Sequence, residues 1–191
     1  RLLERTVEIA AASGAFGARQ LRAALDSSPL WGAGRVEDTY NLLGHALRKA
    51  MGVIARQQRR GLTEVAGEAG ASLVAGSSLK ATLDLDWDDP AARETALGMV
   101  LSALSACEDW LSAHPEVSEA QPALLTSLAA AAQVRDQDVS TSETGTPTLR
   151  DGVAPSRRIS IEDGQMRHGR KSRSRLIDGY KRHVLRDLDS G

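Results

Sequence analysis

Apolar residues recur along this chain with two different periods. In "LLERTVEIAAA", residues 2–12, Leu3, Val7 and Ala10 or Ala11 share one face, which predicts a helix ended by the Gly14 region. "QLRAALD", residues 20–26, is a short apolar segment read as a strand. From Val36 the period changes: Val36, Tyr40, Leu43, Leu47, Ala50 and Ile54 recur every three or four residues and predict an amphipathic helix to about Gln58. Asp89-Pro90 then opens another helix, Asp as N-cap and Pro in the first turn. Its stripe is Leu97, Val100, Leu101, Leu104, Cys107 or Glu108, and Leu111. An Ala-rich helix is expected from Ser118 to about Val134.

Between these helices the pattern breaks. Glycines divide residues 61–87 into short helical pieces and loop. Residues 138–156 are rich in Ser, Thr, Gly and Pro and read as a polar linker. After the linker "RRISIED" reads as a short strand. "RLIDGYKRHVLRDLD" alternates and is rich in β-formers, which predicts a strand followed by a turn at "DSG". No internal repeat of fixed period is present.

Composition sharpens this outline. The 191 residues are 41% hydrophobic, enough for a core, and with aromatics at 3% that core must be built from Leu, Ala and Val. The net charge of -1 conceals an asymmetry. Residues 157–186 hold ten Lys or Arg against three acids, about +7, so the remainder carries about -8. A polyanion-facing segment on an acidic body is the expectation. Cys107 is the only cysteine, which excludes a disulfide framework and favours a reducing cytoplasm. Neither a run of about eighteen apolar residues nor a signal peptide is present, so no membrane partner is expected.

Several stretches carry candidate chemistry. Asp26 closes its apolar run before "SSPLWGAGR". An Asp at a strand end, freed by a turn, offers hard oxygen to Mg²⁺ or Mn²⁺; the other reading is an Asx turn capping Ser27 and Ser28. "WGAGR" lacks the third glycine and the Lys-Ser/Thr of a phosphate loop and reads as a turn into the next helix. Glu37 and Asp38 are expected in that helix's first turn, where they suit its dipole. "DLDWDD" fails as a calcium loop, with Asp89 at its sixth position and Thr95 at its twelfth. His45, His114, His168 and His183 show no metal-ligand spacing, and Cys107 sits on a helix stripe as a core residue. The basic segment is denser. Arg167, Arg170, Lys171, Arg173 and Arg175 lie within nine residues, followed by Tyr180, Lys181 and Arg182. Such cations either contact nucleic-acid phosphates without sequence preference or form a solvated loop.

Two blocks together resemble the DDE transposases of bacterial insertion sequences. "LRAALDSSPLWGAGRVEDTYNLLGHALRKA", residues 21–50, is similar to the family segment around the first catalytic aspartate. "SIEDGQMRHGRKSRSRLIDGYKRHVLRDLDSG", residues 160–191, is similar to the stretch where a basic loop enters a Gly-Tyr-Lys strand. The resemblance covers about a third of the chain. It implies an α/β, RNase H-like mixed sheet, incomplete here, with a large mainly helical insertion between the first strand and the following hairpin. The implied domains are 1–35 (helix and first strand), 36–137 (helical insertion), 138–156 (linker) and 157–191 (basic loop and truncated hairpin). The implied chemistry is DNA cleavage and strand transfer at two cations about 3.5–4 Å apart. Asp26 matches the first acid of the triad and a ligand for Mg²⁺ or Mn²⁺. DNA is the implied partner, and a homo-oligomer is compatible with it.

The family's second Asp and its Glu lie downstream of the Gly-Tyr-Lys hairpin. Asp163, Asp178, Asp187 and Asp189 lack the matching context. The chain, which starts at Arg1 and stops in "LRDLDSG", reads as a piece of a longer protein, inactive alone. Two other readings stand beside this one. The first is a non-catalytic DNA-binding or regulatory fragment. The second is a helical interaction protein with a basic tail, which predicts no strand after Pro155.

Overall fold

The computed structural model describes residues 2–12, 23–118, 121–170 and 172–188. In chain order the elements are α1 (Leu2–Ala12), β1 (Ala23–Trp31), α2 (Thr39–Gln58), α3 (Leu62–Glu68), a 3-10 turn (Ser72–Val74) and α4 (Leu79–Leu83). There follow α5 (Pro90–Ala113), α6 (Pro115–Ser118), α7 (Pro122–Asp138), β2 (Val139–Thr141), β3 (Pro147–Leu149), β4 (Arg167–Arg170) and β5 (Leu176–Asp187). The chain divides into two compact units, Trp31–Tyr180 and a smaller one of Arg1–Leu30 with Lys181–Gly191. The class is mixed α/β, with a small antiparallel sheet and a large helical region. Among the described residues no helix is long and apolar enough to cross a membrane.

The larger unit is organised on α2. Its apolar stripe buries Leu42, Leu43, Leu47, Met51 and Ile54 completely or nearly so. This helix packs most extensively on α7, through a core that includes Leu124, Ala130, Ala131 and Val134. The α5 stripe adds Leu97, Val100, Leu104, Cys107 and Leu111, while Glu108 stays exposed. The start of α2 lies three residues later than the apolar period predicts. Asp38 is the N-cap, its carboxylate accepting the Asn41 N–H at 2.9 Å, so Glu37 and the exposed Val36 precede the helix. The expected Asp89 cap on α5 is present, accepting from the N–H groups of Ala91 and Ala92. The Ala-rich helix starts at Pro122 and runs to Asp138, later at both ends than its periodicity predicts. Gln121, held extended at φ -129° and ψ 89° before Pro122, accounts for the late start.

Three segments differ from the sequence expectation. Within the polar stretch 138–156, β2 and β3 pair antiparallel, Val139 opposite Leu149 and Thr141 opposite Pro147. The Ser and Thr residues there bond across the hairpin: Ser140 Oγ lies 3.1 Å from Thr148 Oγ1, and Ser142 Oγ accepts the Thr146 N–H at 3.0 Å. "RRISIED" joins no strand. It is a buried connection instead, with Ile159, Ser160 and Ile161 inside and the Ile159 carbonyl accepting the Glu37 N–H at 3.0 Å. Part of the expected basic loop is strand: β4 pairs antiparallel with β5, Arg167 opposite Gly179 and Arg170 opposite Leu176. Strands after Pro155 also stand against the reading of an unstructured basic tail. The predicted turn at 189–191 lies outside the described residues.

Candidate functional site

Asp26 does not close its strand. β1 continues through Ser27, Ser28 and Pro29 to Trp31, so the expected turn that would free the carboxylate is absent. β1 has β5 as its only sheet neighbour among the described residues, and a proline, lacking its N–H, is tolerated on such an edge. In the smaller unit Ser27 Oγ lies 2.7 Å from His183 Nδ1 on β5. By the strand's alternation the exposed Asp26 side chain projects from the other face. Among the described residues no group of three His, Cys, Asp or Glu is arranged to hold a metal ion. Asp26 by itself supplies one carboxylate, which does not make a two-cation site.

The basic residues separate into two kinds. Arg167 turns its guanidinium back onto its own loop, donating to the carbonyls of Gly164 at 2.7 Å and Met166 at 2.8 Å. Tyr180 is half-buried and donates its hydroxyl to the Asp163 carboxylate, so its ring is tied rather than presented. Arg170, Arg173 and Arg175, at the loop end of the β4–β5 hairpin, are exposed. Among the described residues none of the three meets a carboxylate. Lys171 lies outside the described residues. Lys181 and Arg182, in the smaller unit, are exposed. His168 pairs with Asp178 across the hairpin at 2.5 Å.

Structure also reveals contacts that no local pattern announced. The two blocks 21–50 and 160–191 meet within the larger unit. Gly32 N–H donates to the Asp178 carbonyl at 2.9 Å. A Cβ on Gly34 would stand 2.5 Å from Ser160 Oγ and 2.9 Å from Asp163 Cβ, and one on Gly32 would overlap the Met166 side chain. The glycines of "WGAGR" therefore serve close packing, not a phosphate loop. His45 Nδ1 lies 3.0 Å from Glu37 and its Nε2 lies 3.1 Å from Glu162, which also takes Lys49 Nζ at 3.1 Å. The Lys49 hydrogen bond, with smaller contributions from His45, holds the Glu162 carboxyl below the usual carboxylate range. Deeper in, Arg157 binds the buried Asp138 by Nε at 2.8 Å and Nη2 at 2.6 Å, and Thr39 donates to the same carboxylate at 2.8 Å. Burial, with Arg167 adding to it, lowers the pKa of Arg158. These partners lie up to 118 residues apart along the chain, beyond the reach of any spacing argument.

No family model, no characterised protein and no solved structure matches this chain.

Proposed function

We propose that this chain is a DNA-binding part of a transposase-like protein, its β4–β5 hairpin seated on the phosphate backbone. The observation that carries this reading is the loop end of the hairpin, where Arg170, Arg173 and Arg175 are exposed while Arg157, Arg158 and Arg167 are spent on the protein's own carbonyls and carboxylates. Cations left in solvent at one hairpin end neutralise phosphates and release counterions, giving affinity without base preference. On the resemblance alone, Asp26 is proposed as one metal ligand of the complete protein, and strand transfer as that protein's activity.

The test is the salt dependence of binding to a short duplex, measured by fluorescence anisotropy. Replacing Arg170, Arg173 and Arg175 by Ala is expected to reduce the slope of log K against log salt by roughly 2–3, at about 0.9 per lost phosphate contact. Asp26→Ala is expected to leave binding unchanged. An unchanged slope in the triple variant overturns the reading.

A further inference from the structure

Two arginines, Arg35 and Arg48, are among the residues that line one cleft of the larger unit, with a volume of about 370 Å³. It opens between the start of α2 and the segment from Val74 to Leu79, and Asn41, Ser77 and Ser78 also line it. Arg48 is pinned by neutral groups: its Nη1 donates to the carbonyls of Val74 at 2.7 Å and Ala75 at 2.8 Å, and to that of Gly76. Carbonyl dipoles orient the head without cancelling its charge, and the Nε and Nη2 groups have no acceptor among the described residues. Arg35 is exposed, and among the described residues neither guanidinium meets a carboxylate.

One acid, Glu37, lines the cleft together with His45; its side chain is 9% exposed and lies 3.0 Å from the His45 ring. Asp38 takes Lys80 Nζ at 2.7 Å as well as the Asn41 N–H. Glu162 is shared between His45 and Lys49. Arg35 and Arg48 thus outnumber Glu37, the one carboxylate among the residues that line the cleft. The hydroxyls of Ser77 and Ser78 and the amide of Asn41 supply neutral donors beside them.

We propose that this cleft binds the phosphate group of a small phosphate monoester. Planar guanidinium forks match phosphate oxygens, and charge-assisted bonds of this type are the stronger ones. The volume lies within the roughly 300–1,000 Å³ of small-molecule sites. The residues are separate from the hairpin cations, so this site stands or falls independently of the DNA-binding reading.

The experiment is a titration of the ¹⁵N-labelled full chain with AMP and with inorganic phosphate, potassium chloride holding the ionic strength constant. Saturable shifts are expected at the amides of Gly76, Ser77 and Ser78, tighter for AMP than for phosphate. Arg35→Gln is expected to weaken AMP binding about tenfold, the loss of one charge-assisted contact. Since Arg35 is exposed, the urea midpoint of that variant is expected to stay unchanged. Shifts that fail to saturate, or that chloride alone reproduces, overturn the proposal. So does an Arg35→Gln chain that binds AMP as well as the parent. Shifts at the same amides with a short DNA duplex but with neither AMP nor phosphate also overturn it, and assign the cleft to the DNA footprint.

Discussion

Gly34 and Ser160, 126 positions apart in the sequence, approach so closely that a Cβ on the glycine would stand 2.5 Å from the serine hydroxyl. The serine is buried, and Asp163 Cβ closes the other side at 2.9 Å. Gly34→Ala is therefore expected to destabilise the larger unit by roughly 1–3 kcal/mol, the usual range for overpacking. Urea unfolding of the variant, followed by tryptophan fluorescence, measures this. A midpoint equal to that of the parent would show that the two segments separate freely.

Asp138 and Arg157 form the most enclosed ion pair among the described residues of the larger unit, with side chains 8% and 16% exposed. Removing the cation leaves the carboxylate with Thr39 alone. Arg157→Met is expected to cost roughly 3–5 kcal/mol, because an uncompensated charge stays buried. The double variant Arg157→Met with Asp138→Leu is expected to recover most of that loss. Chemical denaturation of the parent, the single and the double variant decides it.

Cys107 lies inside the α5 stripe, and burial pushes its thiol up to about 12, with Glu108 adding to the effect. A folded-state value above the unfolded one of about 8.5 means that the folded chain holds its proton more tightly. This contribution to stability is complete below pH 8.5 or so and is lost as pH rises toward 12. Disulfide reagents at pH 8 are expected to modify Cys107 only at the rate of unfolding. Fast labelling of the folded chain would contradict the burial.

Asp26→Ala is expected to change stability by less than about 0.5 kcal/mol, since the side chain is exposed on an edge strand. The variant thus isolates function from folding. In the complete protein, loss of metal-dependent strand transfer with an unchanged melting curve supports the metal-ligand role. Full activity removes Asp26 from that role.

Lys49 stabilises the ionised form of Glu162. A lowered folded-state pKa contributes stability above the unfolded value of about 4.3, and the contribution is lost as pH falls through the folded value. Glu162 is half-exposed, so solvent screening keeps the effect small. Lys49→Met is expected to flatten the acid limb of the stability profile below pH 5 or so, measured by urea midpoints at successive pH values.

Local patterns in this sequence sufficed for α1, α2, α5 and β5, because a repeating apolar face and an Asp or Pro at a helix start act within a few residues. They also placed Cys107 in the core and the dense cations on one segment. They misplaced the end of β1: Asp, Ser and Pro favour a turn, but pairing in a sheet whose edge accommodates Pro29 carried the strand on to Trp31. They also missed the β2–β3 hairpin, since Ser and Thr look like linker until they meet across a turn. Which cations remain free was decided only by tertiary structure. Arg157, Arg158 and Arg167 find carbonyls and carboxylates that folding brings to them, whereas Arg170, Arg173 and Arg175 stay exposed and meet no carboxylate among the described residues. The same holds for the cleft. Composition counts Arg35 and Arg48 as ordinary positive charges; only the fold brings both to one cleft that a single carboxylate, Glu37, shares, while Asp38 and Glu162 are paired with lysines. Helix periodicity is local physics, but charge compensation depends on which groups lie within a few ångströms, and that is a property of the fold.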